Sequence, residues 1–457
     1  MSEPMAARYM ADELADHVIS CTFERLSPSA ITATKNAILD QLGCQLLGST
    51  LEWTQPAFRM IRAFGAASES TIVNFGTRTI ADGAAYVNSV FGQGAELDDY
   101  GGGRGAHSGA ICVSAALALG ERDSLPSRDL LTAIVVGYDT AWSLGTLFHK
   151  SVYSRGFHAH SIISVFSATA VAGKLLDLTR DQLANAFAIA GSHASGTMEY
   201  DQTGGEVKRL HSGLAVRGGI QSAMLAKDGL TGPRSIFEGR RGIMASFGGE
   251  ENPEALRLAF ECGVGVERNC FKLFPTNATQ QSSLHLVRQL TQGRALSSSE
   301  LSAIDVWLNP GAVVHCGSVY HPQESVQAQF SLPFSLGLSV TRGSNALKLY
   351  RDGAMWKDPE IGAVSDKVHL HPDHSFVDDR RYACRMRLTL ASGEVREAES
   401  EFPKGSFRDP LTVDEVHTKF RELADPVLQG SRADSIIDSV GRFEDSTPAE
   451  VLRLLVA

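Results

Sequence analysis

Residues 94–109, GAELDDYGGGRGAHSG, decide how this chain is read. Glu96, Asp98 and Asp99 fall within four residues, a glycine-dense turn follows, and Arg104 and His107 close the stretch. Small-residue runs with helical character flank it, ADGAAYVNSVFGQ before and AICVSAALALGE after. Glycine lets backbone approach a ligand closely, so carboxylates, a guanidinium and an imidazole share a short, permissive space. Taken alone, such a loop is more often a solvated connection between two helices, because charge clusters mostly face water. Further clusters of the same chemistry later in the chain weigh against that reading.

Working outward, residues 1–265 read as helix after helix. Ser27-Pro28 supplies a cap and a first-turn proline, Ser127 can cap the run containing LLTAIVVGYDTAWSLG, and Thr179 with Gln182 has the capping-box spacing. The apolar faces are rich in Ala, Gly and Ser, which predicts closely approaching helices. Strand-like alternation is scarce there. From residue 266 the texture changes. IDVWLNPGAVVHCG, DKVHLH and YACRMRLTLASGEVREAESEF are β-rich, and Ala391-Ser392-Gly393-Glu394 lies between two alternating runs as a hairpin turn. Residues 323–338 and 343–352 read as helical. The expected architecture is mostly α plus α+β: a helical domain over 1–265, a smaller α+β domain over 266–400, and a helical tail over 401–457 that packs back on the first domain.

Length and composition set bounds. The 457 residues are 43% hydrophobic and 21% charged, enough for two or three domains with a substantial core. A net charge of −10 argues against a general nucleic-acid binder, which needs a basic face, yet leaves room for a locally basic pocket. Seven cysteines without a Cys-x-x-Cys pair fit reduced thiols in a cytoplasmic protein, with no zinc site signalled. The N-terminal residues carry acids and lack the apolar run of a secretory signal. No stretch reads as a membrane span of roughly 18 apolar residues.

Four clusters carry chemistry. Beside the acidic loop stands Arg155-Gly156-Phe157-His158-Ala159-His160, ahead of a helix whose N-terminal N–H groups and dipole favour an anion. Glu206-Val207-Lys208-Arg209-Leu210-His211 also leads into a helix. Cations there oppose the dipole, and a bound anion would offset the conflict. Lys272-Leu273-Phe274-Pro275-Thr276-Asn277 lies at the domain boundary, where pockets are frequent and where a lysine could reach a carboxylate across the cleft. Tyr320 is a possible phenol donor. Each of these taken singly could be an exposed turn. His369, His371 and His374 look like a metal cluster but lack a confirming ligand pattern, and the glycines of the loop do not follow a strand as a dinucleotide fingerprint requires.

The run GAELDDY…AHSGAICVSAALALGE, then GYDTAWSLG, RGFHAH, KLLDLTRDQLANAFAIAGSHASG, EVKRLHSGLAVRGGI, LTGPRSIFEGRRGIMASF and KLFP resembles the MmgE/PrpD family in order and spacing over nearly the whole chain. That family includes 2-methylcitrate dehydratase, cis-aconitate decarboxylase and iminodisuccinate epimerase. The resemblance implies a large helical domain built from both chain ends, a smaller α+β lid domain and a homodimer. It also implies a cofactor-free, metal-free enzyme acting on a small anionic di- or tricarboxylate; charge and hydropathy, as above, lead us to expect neither nucleic acid nor membrane as partner. Carried over by position, the family's first loop acid falls on Glu96, where aspartate is usual, and Asp98 and Asp99 match the acids that follow. His107, His158, Lys208 and Lys272 match the family's histidines and lysines, and Tyr320 falls near a family tyrosine. The chain departs from the family pattern at Ser108 in place of proline, in a glycine run about one residue longer, and at Thr276 and Asn277 after Lys272; three further departures bear on the substrate: Glu96 itself, Tyr100 in place of threonine, and Gln281 in place of a later histidine.

The shared chemistry of such enzymes is proton removal or delivery at a carbon next to a carboxylate. This needs cations for the carboxylates and for the enolate-like charge, and an acid and a base of suitable pKa. Lys208, Lys272 and Arg104 are the expected anion clamps, His107 and His158 the acid–base pair, and Glu96 or Asp98 the base or the orienting carboxylate. Tyr100, Tyr320 and Gln281 are expected at the substrate. A lyase reading, dehydratase or decarboxylase in type, and an epimerase reading use the same groups, and a member that only binds carboxylates stands as a further alternative. The three departures lead us to expect little activity on methylcitrate or cis-aconitate.

Overall fold

The computed structural model describes residues 9–65, 67–101, 104–249, 258–377 and 380–456. Its first half is a run of helices: α1 (Met10–Ser20), α2 (Pro28–Gly48), α3 (Gln55–Phe64), α4 (Ala81–Gln93), α5 (Ser108–Asp123), α6 (Ser127–Ser154), α7 (Ala159–Leu175), α8 (Arg180–Ala190), α9 (Tyr200–Thr203) and α10 (His211–Lys227). Among the described residues, the strands between them are the short antiparallel pair β1 (Ser70–Thr71) and β2 (Arg78–Thr79). Ser27 Oγ accepts from Ala30 N at 3.0 Å, and Thr179 and Gln182 form a reciprocal capping box. Each serves N–H groups that a helix start leaves without an intrahelical partner. Ser127 does not cap as expected. It is itself the first residue of α6, and its hydroxyl donates to the Ser446 carbonyl at 2.7 Å, fastening α6 to the C-terminal tail.

Small residues bring the central helices together. A methyl group at Gly219 of α10 would come within 2.4 Å of the Ala168 Cβ and 2.7 Å of the Thr169 nitrogen on α7, so glycine sets that approach. The sequence reading underestimated α6, which is long and apolar enough to cross a membrane; 89% of its apolar window is buried inside the protein, as a core helix.

After α11 (Val264–Glu267) the second core begins. Helices α12 (Gln281–Leu290), α13 (Pro310–Cys316), α14 (Ser325–Phe330) and α15 (Leu332–Arg342) accompany strands β3 (Leu301–Leu308), β4 (Val368–Pro372), β5 (Cys384–Leu390) and β6 (Val395–Ser400). The sheet order is β4-β3-β5-β6, with β3 and β4 parallel and the other pairs antiparallel. Cys384, Met386, Leu388 and Leu390 alternate inward along β5 and meet Leu284 and Val287 of α12 and Leu336 and Val340 of α15. The hairpin at 391–394 forms, with Gly393 at φ 88° and Leu390 N donating to Glu394 O at 2.9 Å. One β-rich reading fails: PGAVVHC is helix α13. Asn309 accepts from Gly311 N at 2.9 Å and Pro310 occupies the first turn, and these start signals outweigh the β-branched valines.

The C-terminal helices Val413–Ala424, Arg432–Gly441 and Pro448–Leu454 contribute Phe420, Ile436 and Val451 to the first core. Lys419 is the polar part of that join. It is paired with Asp40 of α2 at 2.5 Å and donates to the Leu97 carbonyl at 2.8 Å, so the tail props the acidic loop from behind. Cys21 and Cys262, 241 positions apart, form a disulfide with Cα atoms 6.3 Å apart, while Cys44, Cys112, Cys270, Cys316 and Cys384 are buried thiols outside it. The expectation of reduced thiols throughout, and with it that argument for a cytoplasmic location, does not extend to this pair. Sequence spacing carries no sign that the end of α1 meets residue 262.

Candidate active site

α4 ends at Gln93, and the chain turns sharply to deliver its three acids in different directions. Glu96 adopts φ 56°, a left-handed backbone that side chains other than glycine seldom take. Its carboxylate lies between two ammonium groups: Lys208 donates to Oε1, and Lys272 donates to Oε2 at 3.2 Å. Lys272 also donates to Asp98 Oδ1 at 3.1 Å. Asp98 Oδ2 sits 3.0 Å from His107 Nδ1, a nitrogen that also lies 2.8 Å from the Asp99 carbonyl oxygen. The Asp99 carboxylate turns away, taking hydrogen bonds from Tyr138 Oη at 2.5 Å and Gly109 N at 3.0 Å, and so anchors the start of α5. A two-way backbone pairing of Tyr100 with Cys270, at 2.8 and 3.0 Å, brings Lys272 beside the loop.

All four charged partners are buried, and each shapes its neighbours. Burial opposes ionisation of Glu96, but Lys208 and Lys272 outweigh it and hold its carboxyl at about 2. Asp98 is likewise held well below the usual carboxylate range, by Lys272 and His107 against burial. The two lysines move oppositely. Burial lowers Lys208 despite Glu96, whereas Asp98 and Glu96 together outweigh burial at Lys272 and raise it. The cause is geometric: Lys272 bridges two carboxylates and Lys208 reaches one. Lys272 is thus a fixed cation, and Lys208 is an ammonium that releases its proton more easily than an ordinary lysine.

The histidines form a second layer. His158, at the start of α7, shares a 2.8 Å Nδ1–Nδ1 hydrogen bond with His211. Burial, reinforced by His211 and His160, pushes His158 well below the usual imidazole value, and burial with Lys208 beside it takes His211 to about 4. Both are neutral near pH 7. His160 Nδ1 accepts from His107 N at 3.1 Å and from Ser164 Oγ at 2.8 Å, which leaves Nε2–H to donate to Ser212 Oγ at 2.8 Å. His160 therefore braces the backbone that carries His107. The anion expected to offset the basic helix start at 206–211 is supplied by the chain itself. Glu96 takes Lys208, and Arg209 is occupied by Glu206, the Gly94 carbonyl and Gln329.

Glu96, Tyr100, His107, His158, Lys208 and Lys272 all line one cavity of about 620 Å³ between the helical domain and the α+β domain. Asp98 lies fully buried behind that wall, reached through Lys272 and His107. Three expected members are elsewhere. The Arg104 side chain donates from Nε to Thr146 Oγ1 at 3.0 Å and lies over the Trp142 ring, because cation–π contact with an indole competes well with water. Tyr320 donates to the Val368 carbonyl at 3.2 Å. Gln281 clips the Lys272 loop, accepting from Leu273 N and Phe274 N and donating to the Phe274 carbonyl and Thr276 Oγ1. Gly102 and Gly103 lie outside the described residues, as do Asp378 and Asp379.

The cavity also has residues that sequence reasoning passed over: Tyr153 and Asp201 from the helical domain, and His315, Phe330, Arg381 and Tyr382 from the other. Arg381 Nη1 meets His149 Nε2 at 2.8 Å, and His315 Nδ1 meets Asp201 at 3.0 Å. These partners stand 232 and 114 positions apart, and no motif joins them. Among the described residues no group of three His, Cys, Asp or Glu side chains converges as a metal site would require. His371 instead pairs with Asp305 at 2.7 Å and stacks on Trp307.

Comparison with known proteins adds the family. Residues 12–256 match the MmgE/PrpD N-terminal domain, and residues 274–445 match the MmgE/PrpD C-terminal domain. The chain is similar to the cis-aconitate decarboxylase-like protein oryM of Aspergillus oryzae, 26% identical over 94% of this chain and 95% of that one. It is 25% identical to the cis-aconitate decarboxylase of Homo sapiens over 99% of this chain and 95% of that one. With the 2-methylcitrate dehydratase-like protein oryR of Aspergillus oryzae it shares 22% identity over 97% and 96%. The helical domain with its α+β companion, the order of the loop motifs and both domain matches agree: the chain is an enzyme of the MmgE/PrpD family.

Proposed function

We propose that this enzyme is a lyase that moves a proton at a carbon next to a carboxylate of a small di- or tricarboxylate, using groups supplied by the chain alone. The observation that supports it is the buried array Lys208–Glu96–Lys272–Asp98–His107 in the wall of the interdomain cavity. A cavity of about 620 Å³ suits a ligand of this size. Each ammonium has three N–H donors, so Lys208 and Lys272 keep donors beyond those given to Glu96 and Asp98, and these can meet a substrate carboxylate and the enediolate formed from it. His107 is oriented through Nδ1, so Nε2 is the nitrogen that takes or returns the carbon-bound proton. Lys208 is the acid. In a dehydratase, proton removal by His107 is followed by departure of the neighbouring hydroxyl as water, with the proton from Lys208. In a decarboxylase, loss of carbon dioxide leaves the carbanion, which Lys208 or protonated His107 quenches.

An epimerase reading is favoured by one observation: imidazoles stand on both walls, His107 on the helical side and His315 on the other. Two faces of one carbon could then be served. Of the three departures, Glu96 and Tyr100 line the cavity and Gln281 does not, so the expected low activity on methylcitrate and cis-aconitate rests on the first two.

The test is proton NMR of the protein in D2O with cis-aconitate, 2-methylcitrate, citrate, malate and iminodisuccinate. The lyase reading expects one acid to lose water or carbon dioxide. Exchange with inversion and no loss of mass would select the epimerase. Binding of these acids with neither exchange nor turnover would overturn both.

A further inference from the structure

We propose that His315, oriented by Asp201, is a second acid–base group of the cavity, facing the substrate from the α+β domain while His107 faces it from the helical domain. This rests on the proton-transfer reading above and adds to His107 and Lys208 a proton carrier on the opposite wall of the cavity. The two members of the dyad come from different domains: His315 from α13, and Asp201 from α9. His315 Nδ1 meets Asp201 Oδ2 at 3.0 Å, and Asp201 Oδ1 accepts from Gln202 Nε2 at 3.0 Å. Both carboxylate oxygens are thus engaged. A carboxylate on Nδ1 fixes the tautomer and leaves Nε2 as the nitrogen that can meet a ligand.

Burial separates an orienting pair from an incidental surface pair. The Asp201 side chain is only 8% exposed, and against that burial the hydrogen bonds from His315 and Gln202 keep its carboxyl below the usual range. The His315 side chain is 24% exposed, and both residues line the same cavity as His107, His158 and Lys208. The His315 ring stands edge-on to Phe330, at 5.5 Å between centroids and 89° between planes, and Lys208 Nζ lies 5.2 Å from the centroid of the same ring. Phe330 is therefore a common apolar support for His315 and for the ammonium assigned to the substrate, which brings both to one small ligand. A carrier standing opposite the first can return a proton to the other face of the carbon, or protonate a leaving group that departs on that side.

The plainer role for this pair is a latch between domains, and the experiment separates the two. Glu324 supplies the comparison, because its Oε1 takes Gly205 N at 2.9 Å across the same domain boundary and it does not line the cavity. Full-length wild type, His315→Gln, His315→Ala, Asp201→Asn and Glu324→Ala are assayed on whichever acid of the NMR panel wild type converts or exchanges. The proposal expects His315→Gln to lose roughly 100- to 1,000-fold in kcat with KM changed less than threefold. It expects one limb of the pH–rate profile to disappear and free imidazole to restore at least tenfold of the His315→Ala activity. Asp201→Asn should fall between His315→Gln and wild type, and Glu324→Ala should move KM alone. Retention of wild-type kcat by His315→Gln, or a loss confined to KM and insensitive to imidazole, would overturn this proposal and leave the lyase reading standing. Wild type inert toward every acid would overturn the lyase reading, and the role of His315 with it.

Discussion

Glu96 combines a left-handed backbone with full burial of its charge, and both are tolerated because two ammonium groups converge on it. Removing one member of such a buried set costs more than making it gains, since the remaining charges stay desolvated. Glu96→Gln should therefore destabilise the protein by about 3–5 kcal/mol, read as a lower denaturant midpoint at neutral pH. The same contact fixes the pH dependence. The Glu96 carboxyl is held near 2 against an ordinary 4.5, so its stabilisation is fully present above about pH 4.5 and is lost as pH falls toward 2. The gap between wild type and Glu96→Gln should close over that window, and a gap constant down to pH 2 would contradict the assignment. At this scale the sequence showed which chemistry was present but not where each side chain pointed. His107, His158, Lys208 and Lys272 line the cavity because the loops that bear them end there. Arg104 and Tyr320 were drawn off by Trp142 and the Val368 carbonyl, partners that the tertiary fold supplies, and Gln281 by the Leu273 and Phe274 amides of its own loop.

Elements were legible where their signals are local. The caps at Ser27 and Thr179 and the hairpin at 391–394 depend on residues a few positions apart, and they form. The α13 segment was misread because two valines spoke for strand while Asn309 and Pro310 spoke for a helix start, and the start signal prevailed. Close packing of small-residue helices was also readable, and it is testable at Gly219. Its added methyl would meet Ala168 and backbone atoms of α7, not the flexible end of a side chain, so α7 and α10 must separate to admit it. Gly219→Ala should cost about 1–3 kcal/mol as an overpacked core position, against the small gain that alanine brings to an open helix site. An unchanged melting temperature would show that these helices are not in close contact. Because His158 is the N-cap residue of α7 and α10 begins at His211, the same separation should weaken turnover.

In the whole molecule, the cavity is a product of chain return. The acidic loop belongs to the helical core, Lys272 reaches it through the Tyr100–Cys270 pairing, and Lys419 of the C-terminal segment holds the Leu97 carbonyl from behind. The change in texture near residue 266 and the return of helical pattern in the tail were visible in the sequence. The cross-domain pairs His315–Asp201 and Arg381–His149, and the disulfide between Cys21 and Cys262, were not, because each joins residues more than a hundred positions apart without a spacing rule. The central claim is that His107, oriented at Nδ1 by Asp98 and the Asp99 carbonyl, exchanges a proton with a carbon of a carboxylic acid held at Lys208 and Lys272. Its most direct test is the rate at which deuterium from D2O enters the carbon beside the carboxylate of the acid that wild type converts, compared with His107→Gln. The account predicts incorporation by wild type and a reduction of roughly 100- to 10,000-fold in the variant. Equal incorporation by both proteins would contradict it.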